Sequence, residues 1–156
     1  MVKGFKEDLK RGQKSEELVK EILEELAPEY EFRITGMLFQ HKGDIEAIAP
    51  DGSVYYLEVK DDSCIAKTGN VLCEEEVYYS DSDRIYPGNM YSDYQFYCVL
   101  SQSERKIYVI DFNILRANYK RGYYKEIPHQ YQTTYAYLVE LWKIKQWGGL
   151  ITTIKY

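Results

Sequence analysis

The chemistry-bearing residues of this chain concentrate between Gly43 and Lys60, where Asp44, Glu58 and Lys60 stand at spacings suited to a shared face. On either side of Pro50-Asp51-Gly52 the residues alternate with the two-residue period of a β-strand. The tripeptide itself is a turn signal, so the stretch reads as a β-hairpin. On the first arm Asp44, Glu46 and Ile48 face one way, and Ile45, Ala47 and Ala49 the other. On the second arm Val54, Tyr56, Glu58 and Lys60 share a face, opposite Tyr55, Leu57 and Val59. Pro50 suits the second position of a type I turn and Gly52 the left-handed residue after it, which makes a three-residue loop with a glycine bulge. Closing that loop pairs Ala49 with Ser53, Glu46 with Tyr56 and Asp44 with Glu58. A two-residue Asp51-Gly52 loop would slip the register by one and turn Asp44 to the wrong face. Carboxylates paired in this way lie roughly 5 Å apart at Cβ and destabilise the sheet unless something cancels their charge. A divalent cation would do so, with the Lys60 ammonium helping on the same face. An exposed sheet face whose acids are merely solvated is the other reading of the same pattern.

The hairpin needs elements around it to hold that face. Residues 5 to about 27 predict a helix: Leu18, Val19, Ile22, Leu23 and Leu26 form an apolar stripe and Pro28 closes it. Lys3, Lys6, Lys10, Arg11 and Lys14 load its first half with positive charge. Glu16 lies at the edge of the buried stripe and Glu17 on the wet face; an acid favoured by the helix dipole is the plain account of Glu16 taken alone. Tyr30 to Thr35 is a short strand before the hairpin, residues 61–70 a loop, and Val71 to Tyr79 a strand with Glu74 and Glu76 on one face. Ser80 to Asn89 reads as a polar surface loop. Tyr91 to Leu100 and Lys106 to Ile110 make a second strand pair, and Phe112 to Tyr119 a short helix capped by Asp111. Residues 122–133 look irregular. Thr134 to Leu141 is a strand, Trp142 to Trp147 a helical turn, and Leu150 to Ile154 a last strand.

At 156 residues the chain predicts one domain with a real core. No stretch approaches the ~18–20 apolar residues of a membrane span, and the first residues lack the apolar core of a secretory signal. Cys64, Cys73 and Cys98 are odd in number and form no Cys-x-x-Cys pair, which fits reduced thiols in a cytoplasmic protein and argues against zinc. The net charge of −5 is unevenly spread: residues 1–14 hold five basic and two acidic groups, 15–104 six and twenty, 105–156 nine and three. An acidic middle between basic ends fits a metal site with phosphate-contacting surroundings, and equally fits plain solvated surface.

Taken in order, a helix with inward Glu16, Gly43-Asp44-Ile45 on one strand and Glu58-Val59-Lys60 on the next resemble the PD-(D/E)XK nuclease superfamily. Gly43 stands where the superfamily's name has Pro, a frequent variant in that group. Thr68-Gly69-Asn70-Val71-Leu72-Cys73-Glu74, Ser92-Asp93-Tyr94 and Tyr137-Leu138-Val139 look like small phage-type members. Two further acid-x-Lys triplets, Asp8-Leu9-Lys10 and Glu104-Arg105-Lys106, lack an alternating strand with an Asp opposite.

The resemblance implies a restriction-endonuclease-like α/β (α+β) fold, a central mixed sheet flanked by helices. It also implies a Mg²⁺- or Mn²⁺-dependent endonuclease acting on DNA, from a phage or other mobile element. Asp44, Glu58 and the Val59 carbonyl would hold the metal. Glu16 would hold a second ion or position the first ion's waters, and Lys60 would orient the attacking water or stabilise the transition state. Lys10, Arg11, Lys14 and Lys67 are candidate phosphate contacts, and each reads as well as a solvated cation. Glu74 and Asp93 match the phage-type pattern, with a structural role as open as a catalytic one. His129 is isolated, and His41 reads as a strand-edge residue. A catalytically silent nucleic-acid-binding or structural subunit, and a junction-resolving homodimer, are the competing functions.

Overall fold

The computed structural model describes residues 2–36 and 43–156, so the expectation for His41 lies outside the described residues. The chain opens with α1 (Val2–Leu26), β1 (Glu31–Ile34), β2 (Ile45–Ile48) and β3 (Val54–Asp61). It continues through α2 (Ile65–Thr68), β4 (Asn70–Tyr79), β5 (Arg84–Pro87), a 3-10 turn at Asn89–Tyr91, β6 (Phe96–Ser101) and β7 (Lys106–Asp111). The remainder is α3 (Phe112–Asn118), a 3-10 turn at Tyr119–Arg121, β8 (Tyr123–Pro128), β9 (Gln132–Glu140), α4 (Leu141–Gln146) and β10 (Leu150–Lys155). Asp111 caps α3 as expected, its Oδ1 accepting the Ile114 N–H at 3.1 Å.

Two sheets result. The larger runs β1-β2-β3-β6-β7-β10 and is mixed, because β3 and β6 are parallel while its other neighbours are antiparallel. The smaller runs β5-β4-β9-β8, antiparallel throughout. The class is therefore α+β with a central mixed sheet and helices against it. Among the described residues, no helix is long and apolar enough to cross a membrane.

Strand alternation divides the apolar residues between two cores. Ile45, Ala47, Leu57, Cys98, Leu100 and Ile107 face α1, whose Val19 and Ile22 cover them. Tyr97, Val99, Tyr108 and Ile110 face the other way, onto Val71 and Cys73 of β4, Val139 of β9 and Leu115 of α3. Each fully buried aliphatic side chain contributes on the order of 1.5–3 kcal/mol. Leu26, expected in the stripe of α1, is 60 % exposed because it ends the helix beyond the sheet.

Four local expectations are corrected. The 61–70 loop contains the one-turn helix α2. Ser80 to Asn89 and residues 122–133 contain the strands β5 and β8. Both are edge strands of the small sheet with little buried on either face, so neither shows the alternation that marks a half-buried strand. Glu74 and Glu76 do not share a face. A bulge at Glu75 breaks the β4–β9 register between them, so Glu74 lies opposite Ala136 and Glu76 opposite Tyr135.

The hairpin register is the one the loop chemistry predicts, with Ile45 opposite Leu57, Glu46 opposite Tyr56 and Ile48 opposite Val54, but the ladder stops before the expected Asp44–Glu58 pair. Gly52 is left-handed (φ 87°) and its N–H bonds the Ala49 carbonyl at 2.9 Å, closing the type I turn. Gly43 carries a different constraint. Its φ is 105°, and a Cβ there would sit 2.8 Å from the Leu57 carbonyl oxygen and 3.3 Å from Tyr94 Cβ. Gly43→Ala should therefore destabilise the fold by about 1–3 kcal/mol, seen as a thermal-unfolding midpoint several degrees lower. An unchanged midpoint would remove this constraint from the site's architecture.

Candidate active site

The site forms where β2 and β3 part. β2 pairs with β3 only as far as Ile45 opposite Leu57, whereas β3 runs on beside β6 to Asp61. Beyond Leu57 one edge of β3 would present unpaired backbone groups, and Asp44 fills part of the gap. Its N–H donates to the Leu57 carbonyl at 2.8 Å, and its Oδ2 accepts the Val59 N–H at 2.8 Å. In an extended strand the N–H and C=O of one residue point to the same side, so the Val59 carbonyl shares this open edge with Asp44. From the far side the Thr35 N–H donates to the Asp44 carbonyl at 3.0 Å, and the Thr35 hydroxyl to the Gly43 carbonyl at 2.6 Å. The Asp44 backbone is held from both neighbours.

Glu16, Asp44, Glu58 and Lys60 all meet here. The Glu16 carboxyl comes from α1 and hydrogen-bonds Asp44. Glu58 and Lys60 project from β3 on the side away from α1, and Lys60 Nζ is 3.3 Å from Glu74 Oε1. Glu74 is placed by its own N–H, which donates to Asn89 Oδ1 at 2.9 Å. The electrostatics are unbalanced. Burial, then the charge of Asp44, push Glu58 up to about 9 against the pull of Lys60, with Glu16 and Glu74 adding to the rise. Burial and Asp44 raise Glu16 to about 7. Burial also raises Asp44, opposed by the Val59 N–H, the Glu16 bond and Lys60.

The donor chemistry suits a hard divalent ion: carboxylate oxygens, a free strand edge and too little positive charge. As the side chains stand, no group of three or more His, Cys, Asp or Glu among the described residues is arranged as a ready metal cage. Glu16 instead lies against Asp44, whose charge adds to the cost of ionising Glu16.

The other sequence candidates lie around this centre. Lys10, Arg11 and Lys14 line a recess of about 460 Å³ on the α1 surface with Ser15 and Gln102. Lys67 is exposed on α2, Asp93 is exposed, and His129 is an exposed residue whose N–H bonds the Gln132 carbonyl. Asp61 escaped the sequence reading. Its Oδ2 accepts from Arg11 Nε at 3.2 Å, the buried Ser15 hydroxyl at 3.0 Å and Gln102 Nε2 at 2.7 Å. It therefore ties α1, next to Glu16, to the end of β3. The signal was present: Arg11 and Ser15 are one helical turn apart, and alternation turns Asp61 to the same face as Val59. An acid of that kind reads as surface until the helix is docked on it. Glu75 was likewise missed; it accepts from Tyr91 at 2.5 Å and from Tyr119, with Lys120 Nζ 3.5 Å away.

In sequence, no known family model and no curated protein matches the chain. In structure it is similar to a bacterial homing endonuclease, I-Ssp6803I, with a TM-score of 0.49 and 13 % identity over 79 % of this chain and 74 % of that one. Likeness at that level assigns no activity to this chain.

Glu58 and Glu16 titrate above their ordinary values in the folded state, so between about 4.5 and 9 for the first, and 4.5 and 7 for the second, the native chain holds protons the unfolded chain has lost. Stability should then fall as pH rises from 5 to 9 without divalent ions. The unfolding midpoint should drop by roughly 5 °C or more across that range. Glu58→Gln should flatten the upper part of the profile. A midpoint that rises with pH would contradict the strain assigned to these acids.

Proposed function

We propose that the chain is a Mg²⁺- or Mn²⁺-dependent endonuclease of the PD-(D/E)XK type that hydrolyses DNA phosphodiester bonds in phage or mobile-element DNA. One observation carries this reading: Glu16, Asp44 and Glu58 converge beside Lys60 at the free edge of β3, with Lys60 offsetting only part of the cost of their burial and mutual charge. Acids that served only as solvated surface would have no reason to be half-buried against one another.

Asp44, Glu58 and the Val59 carbonyl would hold the ion, with Glu16 completing the set or positioning its waters. A divalent ion held there supplies Lewis-acid charge to the scissile phosphate and lowers the pKa of a bound water. The rest falls to the chain. Lys60, steered by Glu74, points its ammonium at the phosphate side and stabilises charge that builds on the phosphoryl oxygens. Lys10, Arg11 and Lys14 hold the backbone upstream, on the same helix that delivers Glu16. Asp61 is a positioning residue, acting through α1 on Glu16.

Purified chain incubated with Mn²⁺ and plasmid, single-stranded or branched DNA should cut at least one of them. Asp44→Asn and Lys60→Ala should each lower the rate by ~10²-fold or more while unfolding cooperatively. Mg²⁺ should also raise the parent's melting temperature, and do so much less in Asp44→Asn. Cleavage by either variant at the parent rate would overturn the residue assignment; binding without any cleavage would favour a silent nucleic-acid-binding subunit.

A further inference from the structure

Beside Lys60 a second recess of about 440 Å³ opens between the end of β3 and the small sheet. That size lies within the about 300–1,000 Å³ span of sites that enclose a small-molecule unit. Its floor is apolar: Leu72 of β4, Leu138 of β9 and Ile127 of β8. The register explains why they converge. Leu72 lies opposite Leu138 and Ile127 opposite Thr134, so all three stand on the face of the small sheet turned away from the second core. Arg11, Lys60 and Lys125 line the same recess, and Arg11 also lines the basic recess on α1. The two hollows therefore share Arg11. The acids of the wall are already engaged: Asp61 with Arg11, Ser15 and Gln102, and Asp62 Oδ1 with the N–H groups of Cys64 (2.8 Å) and Ile65 (3.2 Å). Lys125 forms no ion pair among the described residues. Tyr123, 58 % exposed, lies on the same sheet face, with Lys143 Nζ 5.4 Å from its ring centroid.

An apolar floor beneath a cationic rim matches a unit that is flat and apolar on one side and anionic on the other. We propose that this recess binds one unpaired nucleotide of the DNA strand that passes Lys60. Its base lies on Leu72, Ile127 and Leu138, and its phosphates meet Arg11, Lys60 and Lys125. The proposal rests on the nuclease reading for the strand's course and adds the substrate class. A base reaches such a floor only when it is out of the stack, so the preferred DNA is single-stranded, flapped or branched next to the reacting phosphate rather than blunt duplex.

Fluorescence anisotropy in EDTA, where nothing is cut, tests this with labelled single-stranded, flapped and blunt-duplex oligonucleotides of one length. The full chain should bind the first two about tenfold more tightly than the last, and abasic sites in the unpaired segment should erase the difference. Lys125→Glu, at an exposed position, and Ile127→Asp should each abolish the preference, while Lys155→Glu on β10 of the other sheet should preserve it. Equal affinity for flap and duplex, or a preference that survives both recess variants, would overturn the proposal. A flap preference in a chain that cuts nothing with Mn²⁺ would support the recess and sink the nuclease reading; cleavage with no preference would do the reverse.

Discussion

Everything at this site depends on a fork. β2 and β3 are partners for only a few residues, and the carboxylate of Asp44 takes the place of a strand exactly where the ladder ends, by accepting the Val59 N–H. A side chain standing in for backbone is thereby locked in place, close to the acid on the next strand. The same geometry that satisfies the edge buries these acids and sets their charges close together; burial first, and then the charge of Asp44, is why Glu58 and Glu16 hold protons far above their usual range. The fold contains this cost by spending stability from two cores on either side of the large sheet. A cation at the fork would relieve it.

Gly43 shows how tightly the fork is drawn. The residue before Asp44 needs a left-handed backbone and has no room for a Cβ beside the Leu57 carbonyl. A proline there would impose the opposite sign of φ, so the position excludes a proline ring as well as a Cβ. The position of α1 is set as specifically. Hydrophobic packing of Val19 and Ile22 fixes which face of the helix meets the sheet, and Asp61 fixes how far along it Glu16 stops. Nonpolar burial alone is indifferent to sliding by a fraction of a turn, while three donors on one carboxylate oxygen are not.

Much of the large sheet was legible because its signals are local. Pro50-Asp51-Gly52 determines the loop, the loop determines the register, and alternation then distributes Glu58 and Lys60; the Glu46–Tyr56 pairing follows directly, while Asp44 stands beyond the end of the ladder. The α3 cap at Asp111 was readable for the same reason. What could not be read is set by tertiary contact. β5 and β8 are strands because β4 and β9 offer them hydrogen bonds, and their exposed residues carry no apolar period. The bulge at Glu75 is equally silent in sequence, yet it separates Glu74, which faces Lys60, from Glu76, which lies opposite Tyr135 on the other face.

That separation ties the two sheets together. The Lys60–Glu74 contact at 3.3 Å spans from the large sheet to the small one, and both partners are partly exposed, so its contribution to stability is small and screened. Its consequence is geometric. A lysine on a four-carbon stem at the end of β3 has many rotamers, and the one that reaches Glu74 also lines the recess floored by Leu72, Ile127 and Leu138. Without the bulge, Glu74 and Glu76 would share a face and Glu75 would turn toward the opposite one, so the acid nearest Lys60 would have a like-charged neighbour two residues away. With it, Glu74 is the acid of β4 that reaches the ammonium, and the small sheet becomes a wall that orients a side chain of the large one.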